Sequence, residues 1–157
     1  MGENRLVLTV VQRVSSASVD VEESGYHVEI GSGLCVLLAV EQEDGAAEVD
    51  WIARKLARLR VFRDDDGRMN RSIQDVDGAV LLVSQFTLVG DCTKGNRPSF
   101  VRAADPGDAE RLDEDVASSL RTTHHLSVKT GQFAAMMDVA MVNDGPVTLI
   151  LQTPRKA

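Results

Sequence analysis

The chain has 157 residues, of which 43% are hydrophobic and 26% charged, with a net charge of −7. That length suits one domain with a real core, and no apolar run approaches the roughly 18–20 residues that cross a bilayer. The acidic balance excludes a broad polyanion-binding surface, so any nucleic-acid contact must be local, and two cysteines without a CxxC spacing exclude a disulfide framework.

Met1 to Arg5 is polar and has no apolar h-region, so a secretion signal is not expected and a reduced, cytoplasmic setting is. Leu6, Leu8, Val10 and Gln12 alternate with Val7, Thr9, Val11 and Arg13 as in a strand. Ser18 to Val21 and Tyr26 to Ile30 read as a hairpin about Glu22-Glu23-Ser24-Gly25. Leu34 to Val40 is apolar throughout, which predicts a fully buried strand carrying Cys35, whereas Cys92 lies in a polar loop. The spacing of Val49, Ile52, Ala53, Leu56 and Leu59 predicts a helix over Ala46 to Leu59, with Arg54 and Lys55 on its polar face. Asp64-Asp65-Asp66-Gly67 lacks the later ligands of a calcium loop and reads as a surface turn. Ala79 to Leu88 reads as a central strand. A second helix is expected from Asp108, as its cap, to Thr122, with Leu112, Val116 and Leu120 on one face. His124 and His125 follow it, placed to interact as charges with its C-terminus. Val139 to Val142 and Val147 to Gln152 are the last strands.

Strands outnumber helices and most connections are too short for parallel crossovers. The expected architecture is therefore α+β: a mainly antiparallel, barrel-like sheet covered by two helices, in a single domain over 1–157. Two basic groups stand out, Lys94, Arg97 and Arg102 in one stretch and Arg5, Arg13, Arg155 and Lys156 near the termini; most of these read as solvated surface charge.

Two segments carry more information than the rest. Ser84-Gln85-Phe86-Thr87-Leu88 ends one apolar run, and Asn143-Asp144-Gly145-Pro146-Val147-Thr148 opens another. Gly145 can take backbone angles closed to other residues, and Pro146 lacks an N–H and can follow a cis peptide. Taken singly, each segment also reads as an ordinary strand end or turn. Further motifs are Val11-Gln12-Arg13-Val14-Ser15-Ser16-Ala17-Ser18-Val19, Met69-Asn70-Arg71-Ser72, Lys94-Gly95-Asn96-Arg97-Pro98-Ser99-Phe100 and Thr130-Gly131-Gln132-Phe133. In this order, together with Gly33 to Leu38 and Val142 to Leu151, they resemble the D-aminoacyl-tRNA deacylases almost end to end. The chain departs from the family pattern at Asn96, at Ala134 and Met136, and at Val89-Gly90.

The resemblance implies hydrolysis of the ester that joins a D-amino acid, and also glycine, to the 3′-terminal ribose of tRNA. It implies a catalytic segment of Ser84, Gln85, Phe86 and Thr87, with no cofactor and no metal. It also implies a homodimer with the site at the subunit interface, where the partner's Gly-cis-Pro corner, Gly145 and Pro146, leaves no room for an L side chain. Phe133 and Met137 resemble apolar residues that cover the terminal adenosine; as residues alone, they fit core packing equally well. There is no GxSxG elbow and no evident Ser-His-Asp triad. Thr87 without a base is a poor nucleophile and is expected to position substrate or water, with backbone N–H groups near Phe86 and Thr87 as oxyanion donors. The expected partner is thus the 3′ end of aminoacyl-tRNA, and no membrane. Two rivals remain, an RNA-binding module without chemistry and a small-molecule esterase using Ser84 or Thr87.

Overall fold

The computed structural model describes residues 6–154, so Arg5, Arg155, Lys156 and the polar N-terminus lie outside the described residues. In chain order the elements are β1 (Leu6–Val21), β2 (Tyr26–Ile30), β3 (Gly33–Ala39), α1 (Ala46–Arg58), β4 (Phe62–Arg63), β5 (Met69–Arg71), β6 (Ala79–Ser84), a 3-10 helix (Phe86–Val89), α2 (Pro106–Thr122), β7 (Ser127–Thr130) and β8 (Asp138–Thr153). The sheet runs β2-β1-β3-β6-β7, with β8 also paired to β1.

β1 is the spine, antiparallel to β2, β3 and β8. The β1–β2 hairpin turns where expected, with Val21 opposite Tyr26 and Gly25 at φ 72°. The Tyr26 hydroxyl donates to the Thr130 carbonyl at 2.7 Å. That bond ties β2 to β7, the two ends of the strand order, across the gap of the barrel-like sheet.

The sheet is mixed, because β3 pairs parallel with β6 and β6 parallel with β7. Each of these steps has a helix in its connection, α1 in the first and α2 in the second, which supplies the length that a parallel return requires. The antiparallel expectation holds for the three pairings of β1.

Alternation on β3 and β6 explains their unbroken apolar runs. Leu34, Val36, Leu38, Val80 and Leu82 pack under the helices against Ile52, Leu56, Val116 and Leu120. Cys35, Leu81 and Val83 face the other way, into a second cluster with Val19 and Ile30. A sheet buried on both faces needs no polar residue at alternate positions. Gly33 permits the start of this pairing, since a Cβ there would stand 1.8 Å from the Ala79 carbonyl oxygen.

The helix ends differ in chemistry. The Glu48 carboxylate accepts from the Gly45 N–H at 2.9 Å and so caps α1. In α2 the expected cap, Asp108, lies within the first turn and pairs with Arg111; the helix begins at Pro106, whose missing N–H costs nothing there. Among the described residues no helix is long and apolar enough to cross a membrane.

Candidate active site

The central strand expected over Ala79 to Leu88 stops at Ser84 and tightens into the 3-10 helix. Gln85 makes the junction: its N–H donates to the Leu38 carbonyl at 2.8 Å, and its carbonyl accepts from Leu88 at 3.2 Å. The N–H groups of Phe86 and Thr87 open the helix and so have no acceptor within it. The Gln85 amide donates to the Thr87 hydroxyl oxygen, which leaves the Thr87 proton available to another acceptor. Thr87 and Phe86 are exposed, and the Phe86 ring meets Phe100 edge-on with centroids 5.1 Å apart. Phe100 lies at the far end of the loop that Asp91 and Ser99 close by paired backbone bonds of 2.7 and 2.9 Å. Gly90 lets that ring approach, because a Cβ there would lie 2.9 Å from it. Lys94 and Arg97 are exposed on the same loop.

Ser84 and Phe133 share a cleft of about 400 Å³ between α2 and the end of β7. Met137 lies just outside its wall, its sulfur packed so closely on Gly131 that a Cβ there would stand 2.7 Å away. Met137 also joins the second apolar cluster, whereas Phe133 is half-buried. The cleft's most unusual group, Asp113, carries no signal in the sequence. Among the described residues, neither of its buried carboxylate oxygens has a hydrogen-bond partner. Burial pushes its pKa up to about 7, reinforced by Glu110 and Glu114. The Ser84 hydroxyl lies near enough to oppose that rise but outside hydrogen-bonding geometry.

The second motif forms a protrusion within β8, which is one strand and not the two expected. Gln12 pairs with Thr148 and Val14 with Asn143, so Asp144, Gly145, Pro146 and Val147 together oppose Arg13 alone. The Gly145-Pro146 peptide is cis and both residues are exposed. Asn143 closes the base: its side-chain oxygen accepts from the Val147 N–H at 2.8 Å, and its amide donates to the Thr148 hydroxyl at 3.1 Å. Arg13 holds the corner from beneath. Its guanidinium donates to the carbonyls of Asp144 at 3.0 Å and Val61 at 2.6 Å. Arg63 grips the Asp144 carboxylate with two bonds of 3.1 and 3.2 Å, and this pairing, with help from Arg13, holds the Asp144 pKa below the usual carboxylate value. Gly145 has φ 135°, and a Cβ on it would lie 2.9 Å from the Val147 side chain and 3.0 Å from Arg13. A side chain is therefore excluded by backbone angle and by space.

Arg13 is a correction to the surface-charge reading, since it is only 3% exposed. Its register was the available signal, for it continues the buried series Val7, Thr9 and Val11. His124 also departs from expectation: partial burial, then Arg58, Arg54 and His125, lower its pKa and favour the neutral ring. Cys35 is buried and Cys92 exposed, as expected.

Within one chain the two motifs stay apart. Ser84 pairs with Leu38, and Leu38 with Thr9, so the 3-10 helix lies at the Thr9 level of the sheet while the corner lies at Arg13. Two further strands separate them laterally.

A barrel-like mixed sheet under two helices, with a cleft at a strand-to-helix junction and a rigid Gly-cis-Pro protrusion, defines a small class of proteins. The chain belongs to the D-Tyr-tRNA(Tyr) deacylase family, whose model matches residues 10–152. A D-aminoacyl-tRNA deacylase of Chloroherpeton thalassium is 50% identical over 94% of this chain and 96% of its own. One from Bifidobacterium adolescentis is 51% identical over 92% and 95%. Among solved structures, a c-Myc DNA unwinding element binding protein superposes with a TM-score of 0.85 at 42% identity, covering 94% of this chain and 99% of its own. A probable eukaryotic D-amino acid tRNA deacylase shares the fold, with a TM-score of 0.80 at 16% identity over 94% and 99%.

Proposed function

We propose that this protein hydrolyses the ester bond of D-aminoacyl-tRNA, and of glycyl-tRNA, releasing the free amino acid and tRNA. The reaction class rests on relatives of about half identity along nearly the whole chain. The chiral selection rests on one observation, the exposed cis Gly145-Pro146 corner braced by Arg13, Arg63 and Asn143.

The chemistry follows from the groups available. Water attacks the ester carbonyl, and the N–H groups of Phe86 and Thr87 supply donors to the developing oxyanion. Thr87, accepting from Gln85, has its own proton free to orient substrate or water. Among the described residues neither His nor carboxylate is hydrogen-bonded to its hydroxyl, so an acyl-enzyme on Thr87 is disfavoured. Phe133 and Met137 flank the wall on which the terminal adenosine would rest. The corner stands away from the Ser84–Thr87 segment of its own chain, which favours a homodimer in which each corner completes the partner's site. A backbone wall rejects an L side chain by collision and has nothing to reject in glycine. Charged tRNA places this work in the cytoplasm.

The test is paired hydrolysis of D-tyrosyl-, L-tyrosyl- and glycyl-tRNA by the protein and its Pro146→Ala variant. Rapid loss of the D and glycyl esters alone, with weaker discrimination in the variant, is expected. Cleavage of none above the spontaneous rate would overturn the enzyme reading and favour binding without chemistry, a reading that the net charge of −7 opposes.

A further inference from the structure

The proposed mechanism leaves Asp113 unused, and its surroundings give it a task. It projects from α2 with both oxygens buried and unpartnered, in the cleft that Ser84 also lines. The charged groups on the same walls are Glu110, Glu114 and Arg121, all from α2. The two glutamates repel a negative charge on Asp113, and the Arg121 guanidinium is engaged with the Val128 carbonyl at 2.8 Å. β6, β7 and the segment after β7 add only neutral groups, of which Ser84, Thr130 and Gln132 are polar, and α1 lines no part of the cleft.

A serine hydroxyl has one proton and two lone pairs, whereas an ionised carboxylate can only accept. With Asp113 ionised, its charge orients the nearby Ser84 hydroxyl with the proton toward the carboxylate, and the Ser84 lone pairs face the cleft. With Asp113 protonated, that pull is lost, and the Ser84 proton is released toward the cleft. We infer that Asp113 is a positioning residue for Ser84: its buried carboxyl sets whether the first residue of the catalytic segment offers the cleft an acceptor or a donor. The ester end of the substrate carries N–H and O–H donors, so the ionised form is the productive one. Exchange between the two forms falls near neutrality, consistent with the pKa of about 7.

This inference rests on the deacylase reading for its kinetic consequence but not for its physical basis, so the experiment has two arms. In the first, kcat and KM for D-tyrosyl-tRNA are measured from pH 6 to 8.5 for the protein and for Asp113→Asn. Substrate ionisation is common to both and cancels in their ratio. The ratio of kcat/KM, wild type over variant, should rise about tenfold with a midpoint near pH 7, the differential interaction that one pKa unit represents. In the second arm, the Asp113 carboxyl is titrated by carbon NMR in the ligand-free protein and in Ser84→Ala. A titration near neutrality that moves upward when the Ser84 hydroxyl is removed is expected. A flat ratio across the pH range, or an Asp113 titration near 4 that is insensitive to Ser84, overturns the inference. Absent hydrolysis with an intact NMR coupling would instead tell against the deacylase reading alone.

Discussion

At the scale of single residues, Gly145 carries the strictest requirement. Its φ of 135° is closed to L side chains, and the nearest obstacles to a Cβ include the Val147 backbone nitrogen at 3.1 Å and the buried Arg13 guanidinium at 3.0 Å. Neither can yield without moving the strand that holds it. Gly145→Ala should therefore cost about 1–3 kcal/mol of stability, read from urea unfolding, while the far end of the molecule keeps its packing. It should also raise the rate on L-tyrosyl-tRNA relative to the D ester, because a displaced corner no longer fills the space meant for exclusion. Unchanged stability together with unchanged chiral preference would show that the corner tolerates a side chain and that the filter lies elsewhere. Asp113 makes a contrasting case. Its importance comes entirely from what lies across the cleft, and one position along from Leu112 on an otherwise polar helix face it reads as ordinary surface.

At the scale of elements, the β1–β8 ladder supports the corner through two arginines of unequal weight. Arg13 is buried and satisfies two carbonyls, so Arg13→Met leaves both without their donor and should destabilise by about 3–5 kcal/mol. Arg63 is half exposed, with a side-chain accessibility of 50% against 38% for Asp144, so Arg63→Gln should cost far less. The pH dependence separates them further. The Asp144 pKa is depressed in the folded state, so the stability it contributes is present above its ordinary value of 3.8 and is lost as pH falls through the folded pKa. The gap between wild type and Arg63→Gln should shrink as pH falls below that value, whereas most of the gap for Arg13→Met persists, because its carbonyl partners do not titrate and only its 3.4 Å ion pair with the Asp144 carboxylate is lost. Chemical unfolding at pH 7 and pH 2.5 would check both statements. Much of this element-scale picture was readable beforehand: apolar alternation marked β1, the 3.6-residue spacing marked α1, and Gly-Pro marked the corner. The parallel pairing of β3, β6 and β7 was not readable, because periodicity reports which face is buried and not which strand lies alongside. The bracing of the corner was not readable either, since Arg13 and Arg63 meet Asp144 across more than eighty residues of chain.

At the scale of the whole molecule, the two motifs legible in the sequence occupy different levels of the sheet. Residue chemistry suggests a role for each; only strand register shows that one chain does not bring them together. β8 offers the physical means of joining two copies. Over the described residues it pairs with β1 alone, and its outward positions include Val142 and Ile150, 57% and 70% exposed. A strand of 16 residues with a free edge and exposed apolar side chains is an aggregation hazard unless something covers it. A second copy covering it is what the proposed dimer requires. The proposed dimer therefore predicts that Ile150→Glu, which buries a charge at that contact, shifts the protein from dimer to monomer in analytical ultracentrifugation at micromolar concentration. Ile150 lies outside both apolar clusters, so the monomer should keep its circular dichroism spectrum, yet D-tyrosyl-tRNA hydrolysis should fall at least about a hundredfold as the corner is withdrawn. A folded monomeric variant with full and D-selective activity would mean that one chain assembles its own site, and the separation set by the strand register would then have to close by a movement of β8 itself.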